Sequence, residues 1–372
     1  MTTIAYLTPQ YFDDKSYVGG GERYPLNLAM GVAESTPKDM QIRILSFGPE
    51  PFVRELHPGV TLRVMQAAYT PRHPLDQLSW EIVDALNDVD LVHIMQAHTR
   101  CSEVGYLVSQ MLDKPICVTD MGGYSSSLGQ SFDAHHLIDC IICYSDFGAQ
   151  MMRASRQLVT IKGGVDSRLF VPPVGKPKRD RILYVGRLLP HKGIDQLIQA
   201  LPEGLALTCC GRPYNPEYFQ LLQKLSRNKE VDFILDADDK TIRKLYGKAF
   251  AVVLPSVYRD CYGQSYVAPE LMGLTLLEAM ACGTPAICNR VAAMPEFVRQ
   301  GETGFVYDNL EELTGYLKRV STEADLPDQM GRAARKLVET EFDMRVCGQK
   351  LASIYRQILR ARNAQDTLRE AA

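Results

Sequence analysis

The chain has 372 residues, 46% of them apolar, and sets 41 lysines and arginines against 44 aspartates and glutamates for a net charge of −3. That length exceeds one ordinary hydrophobic core, so two domains are expected, and the near-neutral balance gives no support to a nucleic-acid binder. No apolar run is long enough to cross a bilayer. Met1-Thr2-Thr3 leads into Ile4-Ala5-Tyr6-Leu7 without a charged leader, so a cytoplasmic protein is expected, with peripheral contact at the inner face of a membrane left open.

Short apolar runs predict strands over 4–7, 42–47, 62–64, 91–95, 116–119, 140–144 and 158–161. Helical patterns fill 23–33, 75–86, 103–112 and 147–154. Strand–helix alternation with apolar strands predicts a parallel sheet covered on both faces. The segment 170–180, with Pro172, Pro173 and Pro177, reads as a linker. The alternation then restarts with strands over 182–185, 205–209, 232–235 and 251–254 and helices over 194–201, 217–225 and 241–246. The pattern therefore predicts an α/β protein of two doubly wound lobes facing each other across a cleft, over 1–170 and 171–343. A last helical stretch, about 344–372, has no strand after it and is expected to pack back onto the first lobe.

The ten cysteines lie mostly in apolar strands and helices and read as buried thiols rather than a disulfide framework. Cys140-Ile141-Ile142-Cys143 fits the same reading. His135-His136 lacks further ligands at metal spacing. Asp236-Ala237-Asp238 and Asp88-Val89-Asp90 match the D-x-D pattern that holds a metal in some sugar transferases. Asp238 or Asp239 reads better as a helix N-cap, and Asp88 and Asp90 as residues separating a helix from a strand.

The most informative stretch runs from Pro269 to Pro285. Residues 274–282 are good helix formers, and Gly283 is the expected stop. A helix starting on Gly273 presents the backbone N–H groups of Met272, Gly273 and Leu274, which can seat a phosphate. Glu270 precedes this helix, and Glu278 lies within its apolar face. A carboxylate there needs donors, which sugar hydroxyls or a nearby Arg or Lys would each supply. After the strand 182–185 comes Gly186-Arg187-Leu188-Leu189-Pro190-His191-Lys192-Gly193, where Arg187 and Lys192 either pair with a diphosphate or are solvated cations. Arg212 ends the next strand in the same layer.

In the first lobe Gly19-Gly20-Gly21 allows close approach of a ligand or serves as a flexible turn. It does not match the dinucleotide fingerprint G-x-G-x-x-G, which argues against a nicotinamide-dependent dehydrogenase. His93 alternates with apolar neighbours and reads as a core residue. His98 lies beyond the strand and is the better candidate for the site.

With these residues in place the chain resembles glycosyltransferase family 4, whose GT-B fold pairs two Rossmann-like lobes. The resemblance rests on the E-x7-E pattern of Glu270 and Glu278 followed by Ala279-Met280-Ala281-Cys282-Gly283-Thr284-Pro285. Gly186-Arg187-Leu188 with Lys192-Gly193, Gly164-Val165-Asp166, Gly301 with Gly304-Phe305-Val306, and Gly20-Gly21-Glu22-Arg23 add to it. The resemblance implies a retaining, metal-independent transferase that takes a UDP-sugar or GDP-sugar as co-substrate, with no other cofactor. The implied acceptor is a glycan, a lipid-linked or a small-molecule hydroxyl, in cell-envelope or polysaccharide assembly. By resemblance Arg187 and Lys192 hold the diphosphate, Glu278 the ribose and Glu270 the donor sugar, so Glu270 is an expected catalytic residue, and His98 is the second candidate for that role. A sugar-nucleotide-binding relative without catalysis is the alternative. Met121 replaces a histidine common in the family, and His98 is the other histidine at that edge. Gly163 stands where an asparagine is usual. The loop 258–269 is longer than usual and carries Tyr258, Tyr262 and Tyr266, either as a stacking rim or as a structural flap.

Overall fold

The computed structural model describes residues 1–10, 12, 20–122, 135–152, 157–175 and 178–370. Gly19, Gly123 and Tyr124 lie outside the described residues. The chain divides into two compact units, Met1–Gly164 with Met344–Ala372, and Val165–Asp343.

In the first unit the order is β1 (Thr2–Leu7), α1 (Gly20–Ser35), β2 (Met40–Gly48), β3 (Phe52–His57), β4 (Val60–Gln66), α2 (Ile82–Asn87) and β5 (Leu91–Met95). Then come α3 (Arg100–Met111), β6 (Ile116–Thr119), β7 (Cys140–Cys143), α4 (Asp146–Met151) and β8 (Leu158–Thr160). The sheet order is β3-β4-β2-β1-β5-β6-β7-β8, parallel except for β3 against β4. The central strands are buried along their whole length, as a sheet covered on both faces requires.

The second unit runs β9 (Arg181–Val185), α5 (Ile194–Ala200), β10 (Ala206–Cys210), α6 (Pro216–Leu225), β11 (Val231–Ile234), α7 (Asp239–Lys248) and β12 (Ala249–Leu254). It continues through α8 (Leu274–Ala281), β13 (Ala286–Asn289), β14 (Gly304–Tyr307), α9 (Leu310–Thr322) and α10 (Leu326–Leu337) into a π-helical turn, Val338–Phe342. Its six strands are parallel in the order β11-β10-β9-β12-β13-β14, which is the doubly wound nucleotide-binding order 3-2-1-4-5-6. The strand order reverses between β9 and β12, and ligands of such sheets bind beyond the carboxyl ends of strands at that point.

The last helix, α11 (Met344–Glu370), belongs to the first unit and crosses α1. The helices touch backbone to backbone at Gly31 and Gly348. A Cβ on Gly31 would sit 2.0 Å from the Met344 carbonyl oxygen, and one on Gly348 would sit 2.1 Å from the Gly31 carbonyl carbon. Tyr355 of α11 reaches the sheet, where its hydroxyl meets His93 Nδ1 at 2.5 Å and donates to the Tyr6 hydroxyl at 2.9 Å. His93 Nε2 meets the Thr119 hydroxyl at 2.7 Å, so this histidine is fully used inside the core.

The structure differs from the sequence reading in three places. The division falls at Gly164/Val165 instead of 170/171. Residues 165–170 are held by the second unit, because Asp343 accepts from the Ser167 hydroxyl at 2.5 Å and Arg335 and Arg243 donate to the carbonyls of Phe170 and Leu169. The helix expected over 75–86 forms only as Ile82–Asn87, since Asp76 pairs with Arg100 at 2.6 Å and the Leu78 carbonyl accepts from Ala68. Strand β3 was not anticipated. It is a half-exposed edge strand whose Arg54 and Glu55 hide the apolar signal.

Among the described residues no helix is long and apolar enough to cross a membrane.

Candidate functional site

The site of the second unit grows from the two strands at its reversal point. After β9 the chain turns at Gly186 (φ +156°), exposes Arg187 and enters a short 3-10 turn, Pro190–Lys192. Gly193 follows at φ +65°, where a Cβ would lie 2.1 Å from the Pro255 carbonyl oxygen. Only glycine brings this turn so close to the end of β12. As a result Lys192 Nζ lies 2.5 Å from Glu270 Oε1, and the Ser256 hydroxyl donates to the same oxygen at 2.9 Å. The lysine and glutamate side chains keep only 12% and 10% of their exposure. The pair is mostly shielded from water.

Glu270 leads into α8, whose N-cap is Gly273. The first hydrogen bonds of the helix run from the N–H groups of Leu276 and Leu277 to the Gly273 carbonyl. The N–H groups of Leu274 and Thr275 therefore lie ahead of the ladder, at the positive end of the helix. The other end is tightly held. Gly283 adopts φ +71°, and its N–H and that of Thr284 donate back to Met280 and Ala279. Arg335 and Arg179 donate to the carbonyls of Ala281 and Gly283. With its C-terminus clamped, α8 is a rigid platform for whatever its N-terminus meets.

Glu278 is buried within α8, and its Oε2 accepts from the Tyr246 hydroxyl of α7 at 2.9 Å. Neither Ser256 nor Tyr246 was singled out in the sequence. Ser256 had a weak signal, since it follows a strand at the ligand-binding edge; Tyr246 had none. Arg212 is exposed after β10, with Nη2 3.9 Å from Asp236. Asp238 caps α7, accepting from Thr241 N–H at 2.8 Å, and Asp90 accepts from Thr3 N–H at 2.7 Å. Among the described residues no cluster of three or more His, Cys, Asp or Glu side chains is arranged for a metal.

His191 is half-buried beside this pair. Burial and the neighbouring Lys192 hold its imidazole down at about 4, so it is neutral at neutral pH. Its ring packs against Tyr266, 4.8 Å between centroids.

The other sequence candidates lie in the first unit, at the corresponding edge of its own sheet. Gly20 and Gly21 open α1, and a Cβ on Gly21 would meet the Gln10 side chain at 2.9 Å. Gln10 Nε2 donates to Gln96 Oε1 at 3.1 Å, and Gln96 Nε2 donates to the Gly122 carbonyl at 2.8 Å. Gln96 is buried and adopts φ +73°, a cost for a non-glycine residue at the end of β5. His98 is half-buried between β5 and α3, and Met121 half-buried after β6.

Residues 168–337, all in the second unit, match the family described as Glycosyl transferases group 1. The chain is 24% identical over 353 residues to alpha-maltose-1-phosphate synthase of Mycolicibacterium smegmatis, covering 81% of this chain and 87% of that protein. It is 28% identical over 213 residues to glycogen synthase of Mycobacterium tuberculosis, covering 54% of this chain and 48% of that protein, so it spans about half the length of that relative. In fold it is similar to sucrose-phosphate synthase from Thermosynechococcus elongatus, with a TM-score of 0.75 at 22% identity over 97% of this chain and 100% of that one. It is likewise similar to Anabaena HepE in complex with UDP-glucose, with a TM-score of 0.69 at 18% identity over 96% and 100%. The two sheets are those of the GT-B fold.

Proposed function

From the premise that this chain carries a group 1 glycosyl transferase domain, we propose that it moves a sugar, with retention of anomeric configuration, from a nucleoside-diphosphate sugar to an acceptor hydroxyl. The observation that carries this reading is the Lys192–Glu270 pair at the strand reversal, set beside the start of α8. Cations and a helix N-terminus suit the diphosphate of a donor, and two carboxylates suit its ribose and its sugar. Lys192 and Arg187 face the diphosphate, and the N–H groups of Met272, Gly273 and Leu274 add donors to its oxygens. Glu278 accepts ribose hydroxyls, and Glu270 accepts hydroxyls of the transferred sugar. Arg212 borders the nucleotide.

In the reaction the bond from the anomeric carbon to the diphosphate oxygen breaks, and the acceptor oxygen bonds to the same face of that carbon. The acceptor proton passes to the departing phosphate oxygen. Lys192 and the α8 N-terminus stabilise the negative charge that grows on the leaving diphosphate, so their contribution is larger in the transition state than in the bound donor. No divalent metal is needed for that charge on this reading. The first unit supplies its own candidates for ligand contact, Gly20, Gly21 and His98, each separately testable by Gly20→Val, Gly21→Val and His98→Ala.

The name of the HepE complex makes UDP-glucose the first donor to test, with GDP-sugars the alternative pair. The acceptor proposed is a glycan, lipid-linked or small-molecule hydroxyl, in the assembly of cell-envelope or other polysaccharide, with the enzyme in the cytoplasm or at the inner face of a membrane. A thermal-shift screen against UDP, GDP and their sugars is the decisive experiment, because a ligand of the folded state alone raises its midpoint. A midpoint raised by one nucleotide family, followed by turnover of that labelled donor, supports the reading. No shift with any of them overturns it, and binding without turnover leaves a sugar-nucleotide binder.

A further inference from the structure

The loop joining β12 to Glu270 is not a slack insertion. Residues 258–266 fold into a short antiparallel hairpin: Arg259 bridges Ser265, Tyr266 N–H donates to the Tyr258 carbonyl at 2.8 Å, and Asp260 N–H donates to the Gln264 carbonyl at 3.0 Å. Asp260 holds it from inside. One carboxylate oxygen accepts from the N–H groups of Tyr262 (2.9 Å) and Gln264 (3.0 Å), and the other from the Tyr266 hydroxyl at 2.9 Å. Asp260 is only 8% exposed. A carboxylate buried in a surface loop is costly without several donors, and here three donors converge on it.

The hairpin is also wired to the site at both of its ends. Val257 N–H donates to the His191 carbonyl at 2.9 Å, and the Tyr266 ring lies against the neutral His191 ring. The Tyr258 hydroxyl accepts from Ala292 N–H at 2.8 Å, and the next residue, Ala293, donates to the Glu270 carbonyl at 3.3 Å. At the base, Ser256 and Glu270 are themselves hydrogen-bonded. The hairpin is therefore hydrogen-bonded to the backbone next to Lys192 and, through Ala292 and Ala293, linked to the Glu270 carbonyl.

We propose that the hairpin 258–266 is a preformed recognition element for the sugar of the donor, and that Asp260 is its positioning residue, acting through Tyr266 and His191 on the adjacent Lys192–Glu270 pair. The inference rests on the nucleotide-sugar reading of this site. It names a residue outside the E-x7-E and cation motifs. It also assigns a task to the long loop, which the sequence leaves as either a stacking rim or a structural flap. Because the hairpin is linked to the carboxylate assigned to the sugar, its loss should affect the sugar and spare the nucleotide.

The test is calorimetric titration of UDP and UDP-glucose, with GDP and GDP-mannose as the alternative pair, into the wild-type chain, Tyr266→Phe and Asp260→Asn. Tyr266→Phe keeps the ring on His191 and removes only the hydroxyl, so it stays informative where Asp260→Asn does not fold. Both variants should weaken the nucleotide sugar by about ten-fold or more, the size of a lost charge-assisted contact, while the free nucleoside diphosphate stays within about two-fold of wild type. Equal losses for both ligands would make the hairpin a purely structural turn and overturn the proposal, as would no loss for either. Failure of the wild-type chain to bind any of the four ligands overturns the nucleotide-sugar reading itself, and this inference with it.

Discussion

Lys192 Nζ and Glu270 Oε1 meet at 2.5 Å, joining the chain that leaves β9 to the chain that enters α8. Each side chain is mostly shielded from water by its surroundings. Ammonium groups carry three donors, so Lys192 can keep this partner and still contact a phosphate oxygen.

Removing one member of the pair should therefore cost both stability and binding. Lys192→Ala leaves Glu270 shielded without its cation and should lower unfolding stability by about 3 kcal/mol in urea melts. The double change Lys192→Met with Glu270→Gln should recover much of that stability without restoring affinity for the nucleoside diphosphate. Full stability in Lys192→Ala would show that the pair is solvated and energetically idle.

The two glutamates should separate in kinetics. Glu278 is assigned to a part of the donor that does not react, so Glu278→Gln should chiefly raise the donor KM and weaken the free nucleoside diphosphate. Glu270→Gln should chiefly lower kcat and leave the free diphosphate nearly unchanged. A melting curve must accompany each titration, because Glu278 also accepts the Tyr246 hydroxyl in the core. Loss of nucleoside-diphosphate binding in Glu270→Gln alone would reverse the two roles.

On the proposed reading Lys192, Arg187 and the start of α8 meet the diphosphate charge, so transfer is expected to need no metal. Transfer should survive chelation by EDTA. Asp238→Ala should remove the α7 cap, lowering the melting temperature slightly without a change in activity. Activity lost on chelation and restored by manganese would promote Asp236 and Asp238 to ligands.

Acid should destabilise the first unit through His93. Burial holds its imidazole at about 3 in the fold against 6.5 when free, so between those values the unfolded chain binds the proton and the folded chain does not. Stability is therefore unaffected above the free value and falls as pH drops below it, by about 1.4 kcal/mol per pH unit. His93→Gln should flatten that part of the stability–pH profile, measured by urea melts. An unchanged slope would show that His93 is already protonated in the fold.

The crossing of α1 and α11 should tolerate no added methyl group. Gly348→Ala forces a Cβ into the Gly31 backbone and should cost about 1–3 kcal/mol or more. Gly315→Ala on α9, where a Cβ meets nothing within 4 Å, should instead stabilise by about 0.5–1 kcal/mol. Equal behaviour of the two variants in urea melts would mean that the helices separate readily.

The local code was strong where one residue type has one physical use. The apolar runs of β5 and β6 are written directly in the chain, because a strand covered on both faces has no polar side to disguise it. Gly273 and Gly283 bracket α8 for the same reason: one begins a helix and the other ends it at a φ that other residues avoid. Glu270, Glu278, Arg187 and Lys192 were legible as candidates by their spacing around these signals. What they touch was not legible. The 2.5 Å contact of Lys192 with Glu270 spans 78 positions in sequence and depends on β9 lying beside β12. Tyr246 beneath Glu278 comes from a different helix and carries no local mark. Asp260 carries no local mark, because its three donors converge only once the hairpin closes. Alternation, helix ends and the residue types near the site are local properties that can be read along the chain. Their partners depend on the folded arrangement, since hydrogen bonds and ion pairs act over a few ångströms and chain separation says nothing about that distance.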